Sequence, residues 1–142
     1  MAETAESAVK RSIREILVPH MARQPTTGGF GASGQLDFTC CVGGLYLGIE
    51  AKSKFSKYGN KGPTALQWQE IDDIRANHGF AAVIDEDTLQ DLKTVVDALA
   101  CGAVHIARRV SWGTTNRFER PTTQVHDVPA PTARKRTTRR SK

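Results

Sequence analysis

The sequence predicts a mixed α/β domain, and three observations carry that expectation. Gly43 and Gly44 separate a pair of short runs in which apolar residues alternate with others, the pattern of a β-hairpin. Residues 3–18, 64–78 and 88–100 repeat apolar side chains at helical spacing. The apolar run Phe80–Asp85 lies between the last two of these segments, so helices and strands alternate along the chain.

The hairpin stretch, Gly34 to Lys52, organises the rest. On its second strand Leu45, Leu47, Ile49 and Ala51 alternate with Tyr46, Gly48, Glu50 and Lys52. On the first, Leu36, Phe38, Cys40 and Val42 form the apolar set, which leaves Asp37, Thr39 and Cys41 for the other face. Alternate strand residues share a face. The turn can therefore bring Asp37 beside Glu50 and Lys52. Two carboxylates and an ammonium on one sheet face suit a divalent cation and a phosphate.

The segment before the hairpin supplies the first helix, with Val9, Ile13, Ile16 and Leu17 as its stripe. Thr4 or Ser7 can cap its start, and Pro19 ends it. Glu6 lies along the stripe. A first-turn acid favoured by the helix dipole is its ordinary reading, and an approach to the hairpin site is the other. Residues 23–35 read as a loop, with a short extended piece around Arg23–Thr26. Its glycines let backbone approach a ligand closely, but no Walker motif follows them.

After the hairpin, Lys54, Lys57 and Lys61 sit in a polar loop that leaves the site directly and could reach a phosphate backbone. The second helix follows, with Pro63 at its entry, Thr64 as N-cap and Gly79 as its stop. Ile71 and Ile74 mark its buried stripe, flanked by Leu66 and Trp68. Gln67 points the same way, towards the sheet, and needs polar partners there. Gln69 points to water. Glu86-Asp87-Thr88 form a turn, and the third helix carries Leu89, Leu92, Val95, Val96 and Leu99 before Cys101-Gly102 ends it. Val104, Ile106 and Val110 suggest a further strand or a short extension.

Charge divides the chain. The 142 residues hold 20 Lys and Arg against 15 Asp and Glu, and the excess resides in the segment 121–142. Arg134, Lys135, Arg136, Arg139, Arg140 and Lys142 face one acid there, Asp127, while residues 1–120 are balanced. We therefore read 1–120 as the folded domain and 121–142 as a disordered basic tail, favourable to nucleic acid or simply solvated. The 3 cysteines, without a CxxC or a Cys/His cluster, argue against zinc and for a reducing, cytoplasmic setting. No apolar run reaches membrane-spanning length, and the N-terminus lacks signal-peptide order.

The chemistry follows from the donor set. Hard cations such as Mg²⁺ or Mn²⁺ take carboxylate oxygens, waters and substrate phosphates. Asp37 and Glu50 supply the carboxylates, the Ala51 carbonyl can add a third oxygen, and Glu6 is a further candidate. Lys52 can orient or help deprotonate a water, and Gln67 can position a water or a phosphate oxygen. No Ser/His/Asp or Cys/His nucleophile arrangement is offered.

Asp37, followed by Ile49-Glu50-Ala51-Lys52, resembles the D…ExK order of the PD-(D/E)xK nuclease superfamily. The lead-in Gly34-Gln35-Leu36-Asp37, the IEAK strand and Thr64-Ala65-Leu66-Gln67 before a helix ending at Gly79 look most like its small stand-alone VRR-NUC branch of bacteriophages and bacteria. Leu36 stands where the superfamily's proline falls, and residues 82–84 read Ala-Val-Ile in place of the VRR tripeptide. The resemblance spans about residues 5–85. It implies a restriction-endonuclease-like core: a helix, an antiparallel three-strand portion, a helix and a further strand. It also implies Mg²⁺- or Mn²⁺-dependent hydrolysis of DNA, often branched DNA such as a Holliday junction. Asp37 and Glu50 match its metal-binding acids, Lys52 its catalytic lysine, Gln67 its motif glutamine and Glu6, loosely, its first-helix acid.

Two other readings compete. In a non-catalytic nucleic-acid-binding module the acids are structural, and the lysine loop and tail provide affinity. In an interaction protein the third helix recruits a partner. So small a domain offers limited area to a DNA branch, so a homodimer with two sites is expected.

Overall fold

A computed structural model describes residues 3–24, 34–56, 62–112, 118 and 120. Its element order is α1 (Ala5–Leu17), β1 (Met21–Arg23), β2 (Phe38–Val42), β3 (Leu45–Ala51), α2 (Ala65–Ala76), β4 (Phe80–Ile84), α3 (Leu89–Ala100) and α4 (Val104–Ala107). The protein is mixed α/β, with a four-stranded mixed sheet in the order β1-β2-β3-β4. The first three strands pair antiparallel, and β4 runs parallel to β3. A parallel neighbour requires a crossover, and α2 supplies it. No helix among the described residues is long and apolar enough to cross a membrane.

The hairpin forms as its sequence predicts. Val42 pairs with Leu45 across Gly43 and Gly44, both at positive φ, 58° and 81°. Gly43 is also required by packing: a Cβ there would lie 2.1 Å from the Leu99 carbonyl oxygen of α3.

Two apolar clusters cover the two sheet faces. Phe38, Cys40, Val42, Leu47, Ile49, Phe80, Ala82 and Ile84 pack with Val9, Ile13 and Leu17 of α1 and with Leu92, Val95, Val96 and Leu99 of α3. On the other face Ala81 and Val83 pack with Trp68, Ile71 and Ile74 of α2. Strand β3 is consequently buried on both sides from Leu47 to Ala51. Gly48 makes this possible, because a Cβ there would lie 2.7 Å from Ile74 Cδ1 and 2.8 Å from Leu36 Cδ1. Glu50, two residues further, lies on this α2 side of the sheet.

Four expectations are corrected. Leu36 does not share the face of Phe38; it joins Trp68, Ile71 and Ile74 in the second cluster. Asp37 forms a bend before β2, so strict alternation starts only at Phe38. Leu66, expected to flank the α2 stripe, is exposed, while Trp68 is buried. The α2 stop is not a left-handed Gly79. His78 takes that conformation with φ 64°, and the Gly79 and His78 amides close onto the Ile74 and Arg75 carbonyls. Gly79 serves close approach instead, since a Cβ there would lie 2.7 Å from Ile74 Cγ2 and 3.2 Å from the Tyr46 carbonyl oxygen.

The fourth correction concerns the region after α3. Val104 and Ile106 belong to the short helix α4, not to a strand. Gly102, φ 80°, ends α3 with the Ala103 amide on the Ala98 carbonyl at 2.8 Å, which turns the chain directly into the new helix. This region lies against edge strand β4. Ala107 and Trp112 join the α1/α3 cluster, Phe118 joins the α2 cluster, and the Arg108 guanidinium lies 4.9 Å from the Phe80 ring centroid. All five residues of β4 are buried although it ends the sheet.

Candidate active site

Strand geometry places Glu50 and Lys52 on one face at the end of β3, and Asp37 directly precedes Phe38, which pairs with Ile49. The backbone joins them as well. Asp37 Oδ2 accepts the Ala51 N–H at 2.9 Å, so the first acid of the motif is fixed to the residue between the other two. Lys52 Nζ lies 2.6 Å from Glu50 Oε1. The three predicted site residues Asp37, Glu50 and Lys52 thus meet, with Asp37 at a bend just before the strand.

Glu50 is the unusual group. Its residue is 2% exposed, and its Oε2 is buried without a hydrogen-bond partner. Burial, and then the neighbouring Asp37 charge, push its carboxyl up to about 7, against the opposing pull of Lys52 and Lys10. A buried, half-satisfied carboxylate is costly, and perturbed acids of this kind cluster at functional sites.

Lys10 was not among the residues the sequence pattern singled out. Its Nζ lies 2.8 Å from Asp37 Oδ1 and 2.9 Å from Glu6 Oε1. Burial works against its charge, but the hydrogen bonds and charges of Asp37 and Glu6 outweigh that and raise its pKa. The i,i+4 spacing of Glu6 and Lys10 on α1 was a legible signal for the pair, though not for its contact with Asp37. Glu6 therefore reaches the site through Lys10.

Gln67 has a different engagement from the one expected. Its Oε1 accepts the Thr64 N–H at 2.9 Å and the Thr64 hydroxyl accepts the Gln67 N–H at 3.3 Å, a capping box that starts α2. Its Nε2 donates to the Gln35 carbonyl at 3.5 Å. The side chain thus holds the helix start and the lead-in to Asp37, and its hydrogen bonds do not go to the carboxylates.

Ser53 and Lys54, just after β3, are tied to the turn after β4. Ser53, 3% exposed, donates to Glu86, the Lys54 amide donates to the other Glu86 oxygen at 3.1 Å, and Lys54 Nζ pairs with Asp87. Lys54 is thus engaged within the fold. Lys57, Lys61 and the tail residues Arg134, Lys135, Arg136, Arg139 and Arg140 lie outside the described residues.

Among the described residues no group of three or more His, Cys, Asp or Glu side chains is placed to hold a metal ion together. The carboxylate pair nevertheless fits a hard divalent cation in its donor chemistry. Glu50 Oε2 is buried and lacks a partner, and the Asp37 charge is near enough to raise the Glu50 carboxyl. Asp37, Glu50 and the Ala51 carbonyl are the groups that would hold it.

Comparison of the chain with protein-family models, with curated proteins and with solved structures returned no match.

Proposed function

We propose that the protein is a divalent-metal-dependent nuclease of the PD-(D/E)xK type, hydrolysing phosphodiester bonds of DNA. One observation carries the reading: a buried Glu50 with an unpartnered oxygen, beside Asp37 and bonded to Lys52. The order helix, antiparallel strands, helix, further strand supports assignment to a restriction-endonuclease-like core. The preferred substrate in this reading is branched or junction DNA and the active form a homodimer, with Lys57, Lys61 and the basic tail holding the DNA backbone. The setting is the cytoplasm of a bacterial or phage-infected cell.

Bound at Asp37 and Glu50, Mg²⁺ or Mn²⁺ would acidify a water and neutralise charge on the scissile phosphate. The chain's own groups do the rest. Asp37 is held in place by the Ala51 N–H and by Lys10. Lys52, the nearest cation to Glu50, orients the attacking water and offsets negative charge that develops on the phosphate. Gln67 acts at one remove, by fixing the strand lead-in to the start of α2.

The test is cleavage of labelled duplex, single-stranded, flap and four-way-junction DNA with Mg²⁺ or Mn²⁺, beside Glu50→Ala and Lys52→Ala. Metal-dependent cleavage lost in both variants supports the reading, and the best substrate defines its role. A non-catalytic nucleic-acid-binding module is favoured by a different observation, that Asp37 and Glu50 are each already paired with a lysine. Salt-sensitive binding without cleavage of any substrate would establish it instead.

A further inference from the structure

We infer that Lys10 is the resident cation of the outer half of this site and restricts the site to a single divalent ion. The inference rests on the metal-dependent reading and deepens it. One ammonium bridges Asp37 Oδ1 at 2.8 Å and Glu6 Oε1 at 2.9 Å. Any second divalent ion shared by those two carboxylates would have to take the place this ammonium occupies, so the chain fills that position with its own charge.

The inner half differs. Asp37 Oδ2 takes the Ala51 N–H and Glu50 Oε1 takes Lys52, but Glu50 Oε2 takes nothing. An ionised carboxylate offers about four lone-pair directions, so Asp37 keeps acceptor capacity towards Glu50 with both its present partners in place. Asp37 and Glu50 together would therefore hold an ion with Lys10 in place, whereas Asp37 and Glu6 would hold one only by displacing it.

Charge favours the same outcome. Glu6, Asp37 and Glu50 oppose Lys10 and Lys52, so with every group ionised the cluster carries one net negative charge. A first divalent ion turns that into one positive charge, and a second beside a retained Lys10 would leave a strongly positive, partly buried cluster. Lys10 is also well placed to stay. Its neighbours Val9 and Ile13 on α1 are 2% and 0% exposed, so the helix that carries it is anchored in the core.

The test is a Mn²⁺ titration of the full chain, followed by calorimetry and by the resonance signal of the free ion, at a pH above the Glu50 titration. The wild type takes up one equivalent. Lys10→Gln and Lys10→Met, the latter keeping the apolar stem, take up two, and the second is lost when Glu6→Gln is added. Lys10→Arg, which keeps the charge, takes up one. Two equivalents on the wild type, or one on both neutral variants with their melting transitions intact, overturns the role of Lys10 and leaves the metal reading standing. No uptake by the wild type overturns the metal reading, and the Lys10 inference with it.

Discussion

Asp37 accepts a 2.9 Å hydrogen bond from the backbone N–H of Ala51, which places the first acid of the site against the peptide between Glu50 and Lys52. The contact fixes one carboxylate without consuming a side chain of the second strand. It also sets a like charge near Glu50, where it helps to raise that carboxyl. Asp37→Asn keeps the shape and removes the charge. We expect the Glu50 titration, followed by carbon-detected NMR, to move down from about 7 while staying above the ordinary 4.5, since burial is the larger cause. In the nuclease reading, metal-dependent cleavage by this variant falls sharply, because one of the two carboxylates that would hold the ion is lost.

Stability falls as pH rises through the Glu50 titration. The folded carboxyl holds its proton up to about 7, whereas the unfolded one releases it near 4.5. Between these values the native state binds more protons than the unfolded state, so unfolding free energy declines with pH. Complete ionisation of Glu50 corresponds to an order-of-magnitude loss of about 3 kcal/mol. Urea titrations in chelator at pH values on either side of this window should show the decline in the wild type and a flatter profile in Glu50→Gln. A wild-type stability that rises across the window would refute the assignment.

Gln67 separates a structural from a catalytic role. Its amide closes the α2 capping box with Thr64. Thr64→Ala and Gln67→Ala should each cost about 1 kcal/mol in denaturant unfolding, the usual cost of a lost cap. In the nuclease reading, cleavage at saturating substrate should fall little in either variant while the fold persists. A large loss of turnover in Gln67→Ala with no change in stability would restore the catalytic role that the sequence suggests.

His78 is held at φ 64° at the end of α2, a conformation that costs a residue with a Cβ about 1 kcal/mol. His78→Gly should therefore raise stability by up to about 1 kcal/mol, reduced by the added freedom of the unfolded chain. The Arg108 contact survives, because it uses the His78 backbone carbonyl. Thermal melting gives the answer, and a lowered transition would show that the imidazole itself contributes.

Much of the fold was legible because its signals are local. The Gly43-Gly44 turn, the alternation along β3 and the helical spacing of Val9, Ile13 and Leu17 depend on neighbours within a few residues. So did the meeting of Asp37, Glu50 and Lys52, which follows from a short hairpin with a fixed register. Leu36 was misplaced because alternation presumes an extended chain, and Asp37 bends it. The stop after α2 was misplaced because glycine suits two needs, left-handed backbone and close approach, and only packing against Ile74 and Tyr46 tells which applies.

The sequence by itself determined the element types, the hairpin and the acid–lysine constellation at its end, because periodicity and turn chemistry act along the chain. Tertiary structure decided what charges that constellation. Lys10 reaches Asp37 only when α1 packs on the sheet, and Glu50 loses its water only when α2 covers the other face. Burial and long-range ion pairing depend on which surfaces meet, and no spacing in the sequence states that.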